Sequence, residues 1–471
     1  MSRNFWTKAL LTLTVCFSML LVTQPSIGAD AKEKAKKPYR PNILMITCHD
    51  IGQHMGCYGV PNVQTPNLDQ LASKGVRFQN FYSTSAVCSP ARGCLHTGRY
   101  PQTNGLMGLT HAPWWWSLNK DEKHTAKYLK ELGYETYLIG LCHIGKDYKG
   151  YGYDHRLSKK HKAPESVAAT LDLFKKRRPT DKPFFIKLGF YEVHRPFEQY
   201  KPDTEKGLYV PPWLQDTPQI RKDLAQYQGD IKYFDEQVGT VLKALEKSPF
   251  ADNTLVIFTS DHGIPYAGAK WTLRKTGIEV PLIVYQPGTA MTGGKVYKQL
   301  MSHVDVLPTL LDLLEMPIPK KLQGVSFKEV LEGKTDKSPR DAAYSQFTPA
   351  MKRDNESRSI MTDRYHLIWF VQAGRSVLYP ADINPKDFAD HVARERTSKK
   401  PRPYFELYDL KTDPDEMHDI ASKPENTKIV KDLAKKLMKW MKEVDDPILK
   451  GPVATPYYKN AVKKLHDVTG E

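Results

Sequence analysis

Two short runs, NILMIT at 42–47 and TLVIFT at 254–259, constrain this chain more than any other feature. Neither alternates apolar with polar residues, so neither reads as a strand with one wet face. Continuous apolar runs of this length belong in parallel sheets covered on both sides. The neighbouring segments keep the same plan. A helix is predicted at 65–74, a strand at 76–82, a helix at 124–132, and strands at 134–139 and 184–188. Apolar residues then fall at Ile220, Leu224, Tyr227, Ile231, Phe234, Val238, Val241 and Leu245, the three-and-four spacing of one long amphipathic helix. A strand at 280–285 and a helix at 303–314 complete the series. Helix alternating with strand predicts an α/β fold: a large, mainly parallel sheet sandwiched by helices.

Beyond about Gly324 the pattern changes. Strand-like runs at 358–370 and 405–410 and a Lys-rich helix at 427–444 predict a smaller C-terminal α+β domain with an antiparallel sheet. The expected organisation is a catalytic domain at 41–325 and a second domain at 326–471, with no internal repeat. At the other end, Arg3 and Lys8 precede the apolar stretch Ala9–Val22, and Pro25 leads to the small residues Ser26, Gly28 and Ala29. That is the layout of a signal peptide over 1–29, and the apolar stretch is shorter than the ~20 residues that span a bilayer. Residues 30–40 read as a basic linker. The chain is therefore expected to be exported to a periplasmic, extracellular or other secretory compartment, without stable membrane insertion.

Export meets an oxidising environment, yet six cysteines in 471 residues are too few for a disulfide framework. Losing Arg3 and Lys8 with residues 1–29 lowers the formal charge from +16 to +14. Such a surplus attracts polyanions. No nucleic-acid-binding motif accompanies it, so nucleic acid is not the expected partner.

Sites of parallel sheets lie past the C-terminal ends of their strands. There the first run meets Cys48, His49 and Asp50, and the second meets Ser260, Asp261 and His262. Either aspartate alone would be read as a helix N-cap. As a matched pair, each beside a histidine, they point to ligands converging on a cation.

The most specific segment is SAVCSPARG at 85–93. Cys88-Ser89-Pro90-Ala91-Arg92 and the following LHTGRYP resemble the C-x-P-x-R signature and L-x-T-G-R-x-P continuation of type I sulfatases, in the alkaline phosphatase superfamily. TPNLDQLASKGVRFQNFY, TLVIFTSDHG and ELYDLKTDPDE extend the resemblance over most of the chain. The resemblance implies that a formylglycine-generating maturation enzyme converts Cys88 to 3-oxoalanine (formylglycine), whose hydrated aldehyde is the nucleophile. It also implies one divalent cation, calcium foremost, held by Asp50, Asp261, His262 and the modified Cys88, with His49 at the edge of the shell. Arg92 holds the hydrated aldehyde, His194 protonates the leaving group, Lys270 contacts sulfate oxygens, and His143 matches the histidine of a G-K-x-H motif. Two departures stand out: His49 occupies a position where the family has Asp, and Leu141 replaces the lysine of G-K-x-H, for which Lys146 or Lys149 could substitute.

NGLMGL at 104–109 and the Trp114-Trp115-Trp116 loop are similar to heparan N-sulfatase and related glycan sulfatases. With the basic charge, this implies a sulfated carbohydrate as substrate, bound through His194 and Lys270; Trp115 and Trp116 either stack on its sugar rings or pack in the core. The competing readings are a phosphonate or phosphate ester hydrolase of the same superfamily and a degenerate, non-catalytic glycan-binding protein.

Overall fold

The computed structural model describes residues 39–158, 161–197, 200–348, 356–373 and 402–469. Residues 1–29, read as a signal peptide, and all but the last two residues of the expected linker lie outside them. Strands run in the order β1 Asn42–Cys48, β2 Val76–Phe78, β3 Phe81–Tyr82, β4 Glu135–Gly140, β5 His155–Arg156, β6 Phe184–Gly189 and β7 Thr254–Ser260. They continue with β8 Leu282–Tyr285, β9 Lys295–Tyr297, β10 Met301–Ser302, β11 Ala343–Phe347, β12 Ser357–Met361, β13 Tyr365–Phe370 and β14 Phe405–Asp409.

Eight strands form the large sheet in the order β5-β4-β6-β1-β7-β8-β2-β9. From β5 to β7 every pairing is parallel; β8 runs antiparallel to both β7 and β2, and β9 runs parallel to β2. The continuous apolar runs have a direct physical cause. Leu44, Ile46 and Phe258 pack on one face, against Ile231, Phe234 and Val238 of the long helix Pro218–Glu246. Ile43, Met45 and Leu255 pack on the other, with Val306 and Leu310 of the helix Val306–Leu313. Each such aliphatic side chain contributes roughly 1.5–3 kcal/mol when fully buried, so neither face of β1 or β7 tolerates water.

The second sheet is antiparallel, β11-β12-β13-β14, and the helix Thr427–Glu443 packs on it. Three local readings change. The segment 76–82 is two strands, because Phe81–Tyr82 pairs with Met301–Ser302 in a separate two-stranded sheet. The run 358–370 is a hairpin that turns at the polar Thr362-Asp363-Arg364, where Thr362 N donates to Tyr365 O at 2.9 Å. The helix Ala163–Lys176 and strand β11 were not anticipated.

One buried ion pair ties the small sheet to the segment after the Cys88 helix. Arg358 of β12 grips Asp446 through Nε at 2.5 Å and Nη2 at 2.9 Å, both side chains being fully buried. Asp446 also accepts from Gln102 Nε2 at 2.8 Å. Burial pushes the Asp446 carboxyl up, but the Arg358 guanidinium outweighs it and holds the group below its ordinary value. Asp446→Ala strands a buried guanidinium and is expected to cost about 3–5 kcal/mol in urea unfolding. A loss below about 1 kcal/mol would place the pair in the weak, solvent-screened class. Because the folded pKa is depressed, the pair's contribution is complete above the unfolded value of about 3.9 and disappears as pH falls through the folded one.

Candidate active site

β1 and β7 are parallel neighbours in register, with Cys48 opposite Ser260. The residues that follow each strand therefore arrive together. His49, Asp50, Asp261 and His262 are all buried to within 1%. Asp50 adopts a left-handed backbone, φ 50°, which aspartate tolerates better than bulky residues do. Two hydrogen bonds hold it there: Asp50 N donates to Asp261 Oδ1 at 3.0 Å, and Tyr227 OH of the long helix donates to Asp50 O at 2.7 Å. The two loops also need close backbone approach. Gly52 has φ 51°, and a Cβ on Gly263 would strike the Thr276 carbonyl.

Cys88 is the first residue of the helix Cys88–Thr97, after extended Val87. Its Sγ lies 3.2 Å from His262 Nε2. Four residues on, one helical turn away, Arg92 projects from the same side. Its Nε and Nη2 meet Asp261 Oδ2 at 3.1 and 3.0 Å, Nη1 donates to Thr47 Oγ1 at 3.1 Å, and Nη2 donates to Cys48 O at 2.7 Å. The arginine thus locks the Cys88 helix onto the ends of both central strands. Lys270 Nζ lies 2.7 Å from Asp50 Oδ2 and 3.4 Å from His194 Nε2. His194 Nδ1 is 2.7 Å from the Arg195 carbonyl and 3.1 Å from Tyr191 OH. That carbonyl accepts only if Nδ1 carries the proton, which leaves Nε2 to face Lys270 and the site. His143, at φ 60°, closes another side.

Ligand atoms of His49, Asp50, Cys88 and Asp261 lie within 4.8 Å of one another, as do those of His49, Cys88 and His143. His262 Nε2 joins the first group, 3.2 Å from Asp50 Oδ1. His49 Nδ1 approaches Asp261 Oδ2 at 2.9 Å and Asp50 Oδ1 at 3.6 Å. His49 Nδ1 and Asp50 Oδ1 are buried and have no hydrogen-bond partner of acceptable geometry. These two unpartnered atoms lie beside one further carboxylate, Asp261, and a second imidazole, His262, a set that fits a divalent cation.

The electrostatics agree. Burial opposes charge on His49, yet the Asp261 carboxylate outweighs it and raises the pKa to about 10; His262 rises to about 9 against the same opposition. Burial also pushes Asp50, Asp261 and the Cys88 thiol up, but the surrounding cations hold all three below their ordinary values: chiefly Lys270 for Asp50, His262 for Asp261, and His262 for Cys88. Burial, with Lys270 second, keeps His194 below its usual range, and burial takes His143 to about 4. The buried carboxylates at the floor draw positive charge around them, while the outer histidines His143 and His194 are kept neutral.

The aromatic loop divides. Trp115 is 47% exposed, with Lys146 Nζ 5.7 Å from its ring centroid. Trp116 is only 7% exposed and packs in the core beneath the sheet, so the structure does not bring it to the mouth. His111, absent from the sequence reading, stacks on His143 at 5.5 Å and 4°. Beside Leu141 the nearest ammonium is Lys187 of β6, which donates to the Leu141 carbonyl. Burial lowers its pKa to about 7. A lysine inside an apolar strand run was the available signal. Thr47 and Tyr227 gave none, since both sit at positions that pattern alone assigns to the core.

Comparisons with known proteins give the same family throughout. A sulfatase family model matches residues 41–316, and a model described as N-sulphoglucosamine sulphohydrolase, C-terminal, matches 269–402. An ulvan-active sulfatase of Formosa agariphila is 29% identical, covering 88% of this chain and 83% of its own. Human N-sulphoglucosamine sulphohydrolase is 26% identical, covering 87% and 92%. A solved structure from work on glycosaminoglycan metabolism by Bacteroides thetaiotaomicron has TM-score 0.70 at 21% identity, covering 90% and 99%. Another, solved in complex with D-glucosamine-2-N,6-O-disulfate, has TM-score 0.65 at 23% identity, covering 88% and 99%.

The donor set makes a checkable statement. Chelator-treated protein should bind a single divalent cation in calorimetry, and Asp261→Asn should lose that binding. His49→Asp adds a third carboxylate and should tighten calcium binding or leave it unchanged. A large loss in that variant would make His49 a direct ligand rather than a residue at the edge of the shell.

Proposed function

Since the chain belongs to the sulfatase family of sulfuric ester hydrolases, we propose that it removes sulfate from a sulfated glycan, as O-sulfate or N-sulfate, with Cys88 matured to formylglycine. The observation that carries this reading is the meeting of Cys88, Arg92, His194 and Lys270 around the Asp50–Asp261 pair. We take calcium as the cation, held by Asp50, Asp261, His262 and residue 88. When bound, it polarises the sulfate and makes the attacking hydroxyl more acidic.

The Cys88 thiol stands where the hydrated aldehyde, with two geminal hydroxyls, would be. One hydroxyl attacks sulfur and gives its proton to His194 Nε2, which passes it to the departing glycan oxygen or nitrogen. The second hydroxyl then loses its proton, the carbonyl re-forms, and sulfate departs. Arg92 fixes the helix that carries residue 88. Lys270, 3.4 Å from His194, offers its ammonium to the sulfate oxygens as charge develops and keeps the neighbouring imidazole from charging early. His143 faces residue 88 from the side of His49. Formylglycine requires a dedicated maturation enzyme, and we place the protein in a secretory compartment after removal of residues 1–29. No helix among the described residues is long and apolar enough to cross a membrane.

Two similarities support a glycan over a small aryl ester. Relatives named for ulvan and for N-sulphoglucosamine cover most of the chain, and Trp115 offers an exposed face for a sugar ring. Sulfated oligosaccharides should therefore exceed aryl sulfates in kcat/KM, with the advantage shrinking as added salt screens the basic surface. Trp115→Ala should reduce oligosaccharide turnover more than aryl sulfate turnover, by about tenfold if a ring stacks there. Equal efficiency on both classes, insensitive to salt, would assign a small-molecule substrate. Faster cleavage of matched phosphate esters would assign the phosphoesterase reading.

A further inference from the structure

The helix Thr427–Glu443 has two unlike sides. Leu433, Leu437, Trp440 and Met441 are buried, in one cluster with Ile360, Leu367 and Leu407 of the small sheet. Trp440 stacks on Tyr344 at 4.9 Å and meets Tyr100 edge-on at 5.1 Å. This side anchors the helix and leaves no apolar face to insert elsewhere.

On the other side, Lys428, Lys431, Lys435, Lys439 and Lys442 recur at steps of three and four, and each is exposed. That spacing stacks them in one stripe, about 21 Å long at 1.5 Å per residue. Lys436 lies beside it, and Asp432 and Glu443 are the helix's acidic residues. Lys428 pairs with Asp432 at 2.8 Å and Lys439 approaches Glu443 at 3.8 Å. Lys431, Lys435 and Lys442 make no ion pair among the described residues. An open trough runs along the stripe, floored by Ala434 and by Met438, which is 43% exposed.

Like charges four residues apart weaken a helix, so Lys431, Lys435 and Lys439 repel one another where they stand. A linear polyanion laid along the ridge would relieve that repulsion, and the Met438 side chain and lysine stems would pack under its apolar faces. A membrane fits less well, because an interfacial helix needs its apolar side for the lipid and here that side is buried in the sheet. Resting on the glycan reading of the active site, we propose that this lysine stripe is a second binding surface, separate from the catalytic centre, for an extended sulfated polysaccharide. It holds the polymer while the site at Cys88 works on sulfate groups.

The test compares the triple variant Lys431→Gln, Lys435→Gln, Lys442→Gln with a charge-matched control, Lys175→Gln, Lys182→Gln, Lys247→Gln, whose lysines are exposed elsewhere. Heparin serves as the polymer probe, and binding is measured from low to high salt. The stripe variant should lose about tenfold or more in affinity at low salt and show a shallower salt dependence, as fewer counterions are released. The control should stay within about twofold, and both variants should hydrolyse a small sulfated sugar like the parent. Equal losses in both variants would overturn the proposal in favour of a diffuse field. Unchanged heparin binding with lost binding to phosphatidylserine vesicles would overturn it in favour of a lipid surface. If the parent cleaves no sulfated sugar at all, the glycan reading fails, while the heparin comparison still decides whether the stripe binds polyanions.

Discussion

The parallel pairing of β1 with β7, in register from Asn42 opposite Thr254 to Cys48 opposite Ser260, is the constraint on which the site depends. It brings two carboxylates and two imidazoles to one buried point, at a cost in desolvation that only opposing charge can offset. Arg92 supplies part of that charge by contacting Asp261, Thr47 and the Cys48 carbonyl together, and so fixes the helix that starts at Cys88. Lys270 supplies more from the far side through Asp50. A slip of one residue between the strands would shift Asp261 by about 3.3 Å along the sheet and break the contacts through which Arg92 joins Thr47, the Cys48 carbonyl and Asp261. Both hydrophobic layers flanking the strands serve this register.

Much of this was legible in the sequence because the chemistry sits at strand ends. NILMIT and TLVIFT announced buried parallel strands, and an Asp beside a His after each announced convergence. The step of four from Cys88 to Arg92 placed both on one helical face. What could not be read has equally physical causes. Tyr227 belongs to an apolar helical series, and nothing in that spacing shows that its hydroxyl reaches the Asp50 carbonyl. Three consecutive tryptophans carry no periodicity, so the exposure of Trp115 and the burial of Trp116 emerge only from the loop's fold. The break between Phe78 and Phe81 follows from partner strands more than two hundred residues away.

The departures from the family pattern also gain a physical setting. His49 sits between Asp261 and the rings of His143 and His194, at 5.4 and 5.0 Å, and so puts an imidazole beside Asp261 where the family pattern has a carboxylate. At Leu141 the neighbouring ammonium comes from β6 rather than from the loop, and Lys187 is turned into the backbone instead of toward Cys88.

The central claim is that residue 88 forms and then releases a covalent sulfate ester, and the release step needs two hydroxyls on one carbon. Cys88→Ser retains one hydroxyl and lacks the second, so attack remains possible while expulsion of sulfate does not. The decisive measurement is the mass of the peptide containing residue 88 after this variant is incubated with a sulfated oligosaccharide. The predicted result is the added mass of one sulfo group at residue 88, with product formation stopping after a single turnover. An unmodified peptide from a variant that turns over like the parent would contradict the account.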